Sequence, residues 1–134
     1  MPTIPSPLTL VPLLSVKFAG YTVAGLALDR LGESKMKAAP IVFAASKTGA
    51  GLACGLVYSV VMLQAGAGSA WGTYMGFLPI RLLVWSVTIA ACFRFPRGPL
   101  ICGYALGGVV WSCMLDLLVV VLVGALPGMT IPFC

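Results

Sequence analysis

The sequence contains no histidine and only three acidic residues, Asp29, Glu33 and Asp116. Without imidazole there is no ligand for haem, chlorophyll-type or zinc binding of the usual kind, and no base that titrates near neutral pH. With so few carboxylates, paired-carboxylate catalysis has no parts to work with, because Glu33 falls in a loop far from Asp116 along the chain. Charge of either sign is scarce. Charged residues make up 8% of the chain, against about 25% in a soluble domain. Eight basic and three acidic residues cannot cover a water-facing surface. The five cysteines, Cys54, Cys92, Cys102, Cys113 and Cys134, include no C-x-x-C pair. Four of them lie in apolar runs, where cysteine serves as small apolar filler. No cofactor is expected. A leader is not evident either: "MPTIPSPLTL" has no basic stretch, and no A-x-A site closes the first apolar run. That run is therefore expected to stay as a membrane span.

Hydrophobic residues, in contrast, make up 60% of the chain. The formal charge of +5 is scattered through apolar runs with no basic stripe, which argues against a nucleic-acid partner and for a lipid bilayer. Four apolar stretches predict transmembrane helices at about residues 8–28, 41–63, 72–93 and 100–126. The expected fold class is all-α, a polytopic single transmembrane domain over 1–134. Pro40 and Pro99 suit helix starts, and Pro127-Gly128 a helix end. The third stretch counts only about fifteen residues from Pro79 to Phe93, too few to cross roughly 30 Å of hydrocarbon. Its helix is thus expected to begin near Trp71 to Met75 and to bend at Pro79.

Two loops carry the basic residues: "DRLGESKMK" holds Arg30, Lys35 and Lys37, and "RFPR" holds Arg94 and Arg97. The segment "QAGAGSAWGTY" and the tail "GALPGMTIPFC" carry no charged side chain. The positive-inside rule puts both basic loops in the cytoplasm and both termini outside, as in a bacterial inner-membrane protein. Trp71 and Tyr74 fall where an outer aromatic belt belongs.

The stretch "SVKFAGYTVAGLALDR" (15–30) aligns with "PIRLLVWSVTIAACFR" (79–94) at an offset of 64. Lys17 falls on Arg81, Tyr21 on Trp85, Thr22 on Ser86 and Arg30 on Arg94. "GLVYS" (55–59) aligns with "GVVWS" (108–112) at an offset of 53. This predicts two tandem parallel-repeat hairpins, with halves at about 8–63 and 72–126. The pseudo-twofold axis would lie along the membrane normal.

Lys17 and Arg81 each stand thirteen residues before a boundary arginine, roughly 20 Å along a helix. That places both about 10 Å inside the outer boundary. The aromatic four residues on, Tyr21 or Trp85, could take a cation–π contact from its own helix. Lys47 lies ten residues past Lys37, roughly 15 Å deep and near the midplane. Asp116 is the one acid within an apolar run, on a small-and-polar stripe with Ala105, Gly108 and Ser112, and its depth matches Lys17 and Arg81. A charge at mid-membrane costs about 2.5–3.5 kcal/mol on insertion scales, so such groups face the interior and pair. Asp116 is expected to pair with Arg81 or Lys17, leaving Lys47 and an outer cation in excess. Snorkelling of Lys17 and Arg81 to outer phosphates is the plainer alternative. "GLACG" (Gly51, Gly55) and "GYALG" (Gly103, Gly107) are both G-x-x-x-G, and Ala45, Gly49 and Ala53 add a third small ridge. Packing inside the bundle is the expected use of these ridges.

Three functions are open to such a chain. The leading one is an accessory or interaction subunit whose surplus cations meet acids on a neighbour or lipid phosphates. The second is a small transporter or channel for an anionic solute or lipid headgroup, with a homodimer able to enclose a path. The least supported is a lipid-modifying enzyme, since no nucleophile–base pair can be assembled.

Overall fold

The computed structural model describes residues 7–31, 35–65, 70–94 and 98–123. Its elements are α1 (Pro7–Arg30), β1 (Lys35–Met36), α2 (Pro40–Gln64), α3 (Ala70–Gly76), α4 (Leu78–Cys92), β2 (Phe93–Arg94) and α5 (Gly98–Val123). Four helical segments are long and apolar enough to cross a membrane: Val11–Arg30, Pro40–Met62, Tyr74–Cys92 and Leu100–Val119. The chain is an all-helical integral membrane protein, and the four expected spans are present. Glu33, Arg97, residues 66–69 and the tail from 124, including Pro127, Gly128 and Cys134, lie outside the described residues, as does the side chain of Trp71.

The third span passes through an irregularity at Phe77, whose backbone keeps right-handed helical dihedrals, φ −83° and ψ −15°. α3 stops at Gly76, Phe77 forms the junction, and α4 begins at Leu78 with Pro79 in its first turn. Proline is tolerated there because its missing N–H has no helical partner in the first turn. The Phe77 N–H bonds the Tyr74 carbonyl at 3.2 Å, and the Arg81 N–H bonds the Phe77 carbonyl at 3.0 Å. The junction therefore spends its backbone groups locally, as low-dielectric surroundings demand.

α1 packs chiefly on α2, and α4 on α5; α2 against α4 and α1 against α5 close the bundle. At one end the two basic loops are stitched together. Lys35 pairs with Arg94 and Met36 with Phe93 in an antiparallel clasp. The Lys37 N–H reaches the Cys92 carbonyl at 2.8 Å, and its ammonium donates to the Ala90 carbonyl at 3.3 Å. That contact puts a cation at the negative end of α4. The Met36 N–H bonds Asp29 Oδ1 at 3.2 Å. Both basic loops thus sit at the same end of the molecule.

The outward faces carry Val11, Val57, Leu83, Val110, Leu117 and Val121. This is apolar surface that lipid solvates and water does not. The core is aromatic at its centre: Tyr21, Phe43, Trp85 and Phe93 form one cluster with Ile89, Ala105 and Leu115.

Candidate functional site

Lys17, Lys47 and Arg81 are 1%, 0% and 0% exposed. All three look into the protein, so the snorkelling alternative does not hold. α5 supplies the anchor. Asp116 offers one carboxylate oxygen to each half of the molecule: Oδ1 lies 2.6 Å from Lys17 Nζ on α1 and Oδ2 lies 2.6 Å from Arg81 Nη2 on α4. The sequence pairing is met twice over by one acid. Tyr74 Oη donates to Asp116 Oδ2 at 3.2 Å and accepts from Arg81 Nη1 at 3.4 Å. Arg81 Nη1 also points at Cys113 Sγ, 3.7 Å away. The guanidinium carbon stands 4.8 Å from the Tyr74 ring centroid and 5.7 Å from that of Phe77. A planar, weakly hydrated cation suits this stacked position better than an ammonium would.

One helical turn deeper, Ser112 repeats the arrangement without charge. Its Oγ accepts from Trp85 Nε1 at 3.0 Å and shares a 3.2 Å hydrogen bond with the Tyr21 hydroxyl. The two rings meet edge to face, with centroids 5.8 Å apart and planes at 82°. Residues 112 and 116 are one turn apart on α5 and therefore stack. The aligned pairs Lys17/Arg81 and Tyr21/Trp85 each converge on one of them. Deeper still, Lys47 of α2 holds its ammonium 4.9 Å from the Trp85 ring centroid and 5.4 Å from that of Tyr21. Phe43 then packs on Trp85 at 5.9 Å and on Phe93 at 5.5 Å, down to the clasp. From the end opposite the clasp, the interior runs carboxylate, hydroxyl, ammonium and phenyl.

Gly108 is what lets α5 come this close to α4. A Cβ there would overlap the Trp85 indole. Gly51 and Gly55 are buried as well, so these three serve packing inside the bundle as expected. Gly103 and Gly107 do not. Both are exposed, and a Cβ at either would meet nothing within 4 Å. The same holds for Gly49 of the Ala45–Gly49–Ala53 ridge. A G-x-x-x-G spacing fixes which helix face is shallow but not what lies against it.

Two expectations change. Tyr21 and Trp85, expected to face a cation of their own helices, receive Lys47 from α2, with the polar tips of both rings turned to Ser112. Tyr74, expected in an interfacial belt, instead turns inward to Asp116 and Arg81. Its position seven residues before Arg81 was the available signal, since two helical turns place residues on one face. Among the described residues, no three Cys, Asp or Glu side chains converge as metal ligands would. Asp116 alone of the charged cluster reaches the surface, its side chain 20% exposed. No family model, curated protein or solved structure matches the chain.

Proposed function

We propose that this chain is a non-enzymatic interaction subunit of a membrane assembly, built from two duplicated hairpins and oriented with its basic loops toward the cytoplasm of a bacterial inner membrane. The single observation that carries this role is the seat of Lys47. Its ammonium stands against two aromatic rings in a seam with no accessible surface, where a permeation path would need water. Lys17 and Arg81 are likewise taken up by Asp116. The cations therefore act as an internal clamp, and the earlier expectation that they reach acids on a neighbour gives way to contact through the apolar exterior. The duplication is supported by the way aligned residues of the two hairpins meet on one α5 stripe. It is supported too by matched packing of α1 on α5 and α4 on α2.

The test is purification of the tagged full chain from its native membrane in mild detergent. A protein retained in fixed stoichiometry, and lost when Gly49→Leu fills the outward ridge while the bundle stays folded, is the expected result. Recovery of the chain alone, at every detergent tried, would overturn the role.

A second role, transport of an anionic solute or lipid headgroup, draws on a different observation. Among the described residues, the bundle interior sets three buried cations against the carboxylate of Asp116, an imbalance that an anion would relieve. Anion flux into liposomes carrying the chain, abolished by Lys47→Ala, would replace the interaction role with this one.

A further inference from the structure

A slot of about 260 Å³ lies between α1 and α5 on the half of the bundle nearer the clasp. Val23, Ala27 and Leu31 form one wall, the bare backbone at Gly103 and Gly107 forms the other, and Trp85 forms the floor. Trp111 closes the deep end, its indole N–H bonded to the Gly20 carbonyl at 3.0 Å. The groove is open along one side, and its Leu31 end lies toward the basic end of the molecule. Arg30, exposed in the last turn of α1, follows Ala27 by three residues and Val23 by seven, so it continues the same wall.

We infer that this slot holds an acyl chain of an anionic phospholipid, with the headgroup phosphate at Arg30. Charge complementarity singles out that occupant. The lining is apolar along its length, and at the clasp end the described residues include the exposed cations Arg30, Lys37 and Arg94 against the single acid Asp29. Basic mouths between membrane helices are where anionic headgroups settle. The glycines at 103 and 107 acquire a purpose that bundle packing does not give them, since any larger residue would narrow the slot.

Trp85 and Trp111 are built-in reporters. The full chain carrying Trp71→Phe is reconstituted in phosphatidylcholine vesicles with rising fractions of bromine-labelled phosphatidylglycerol or, in parallel, bromine-labelled phosphatidylcholine. Quenching is expected at about fivefold lower mole fraction for the glycerol lipid, the preference one nearby cation gives. Arg30→Gln should merge the two curves, Lys37→Gln should leave them apart, and Gly107→Leu should weaken quenching by both lipids. Coincident curves before any substitution would overturn the inference. So would an equal loss of preference in Lys37→Gln, which would make the attraction diffuse. A Gly103→Cys variant that forms disulfide-linked dimers in phosphatidylcholine, with no lipid preference, would assign the slot to a second copy and also overturn it.

Discussion

At the scale of single residues, Asp116 carries the largest consequence. It is the shared counter-ion of two buried cations, and breaking a buried pair by removing one partner costs about 3–5 kcal/mol. Asp116→Asn is expected to lose that much stability in bicelles, measured by reversible unfolding. The triple change Lys17→Met, Arg81→Met and Asp116→Leu should recover most of the loss, because the desolvated charges go together. Recovery would separate a structural clamp from a ligand site, where the neutral triple would fold and fail to work. The paired glycines give a second contrast. Gly108→Ala pushes a methyl into the Trp85 indole, and overpacking of this kind costs about 1–3 kcal/mol. Gly103→Ala meets open space and should leave the melting temperature unchanged. Ser112→Ala removes the oxygen that Trp85 and Tyr21 share and should cost about 1–3 kcal/mol, the desolvation penalty of an indole N–H deprived of its acceptor. A blue shift in tryptophan emission would accompany it.

Elements were legible in proportion to how few options the membrane leaves them. A charge in an apolar run must turn inward, and its depth can be counted in residues, so Lys17, Arg81 and Asp116 could be brought to one level from spacing alone. The order of neighbours around the bundle cannot be counted that way. Nothing in the α2 sequence says that Lys47 faces the rings of two other helices, and nothing in "GYALG" says that Gly103 looks outward while Gly108, one residue past the motif, looks in. Pro79 announced the irregularity at Phe77, but not that Tyr74 beside it would meet Asp116 and Arg81. The clasp of β1 and β2 was equally hidden, because two-residue strands have no periodicity to detect. It makes a direct prediction. Lys35 and Arg94 are opposed in the antiparallel register, where side-chain bases stand about 4.5–5.5 Å apart. Lys35→Cys with Arg94→Cys should therefore cross-link under mild oxidation. Failure to cross-link, with the single cysteines both labelled, would separate the two loops.

For the molecule as a whole, the two halves are unequal in charge despite their alignment. The first hairpin holds Lys17 and Lys47, with Asp29 its one acid within a span and that at the clasp end; the second holds Arg81 and Asp116. Co-expressed as separate pieces split within residues 66–69, the hairpins are expected to associate in the membrane, and Asp116→Asn should abolish that association as read by co-purification. Hairpin one alone should not self-associate through this interior.

The same inequality sets a timetable for biosynthesis. Lys17 is translated about a hundred residues before Asp116, an interval of roughly 5–20 s at ordinary elongation rates. For that interval the nascent first hairpin has an ammonium in the lipid and no carboxylate at the same depth to meet it, Asp29 lying at the clasp end of α1. A helper at the insertion site, or a local thinning of the bilayer, has to shelter the lysine until the last helix emerges. Slowing the ribosome between the hairpins should then expose the early half to membrane quality-control proteases.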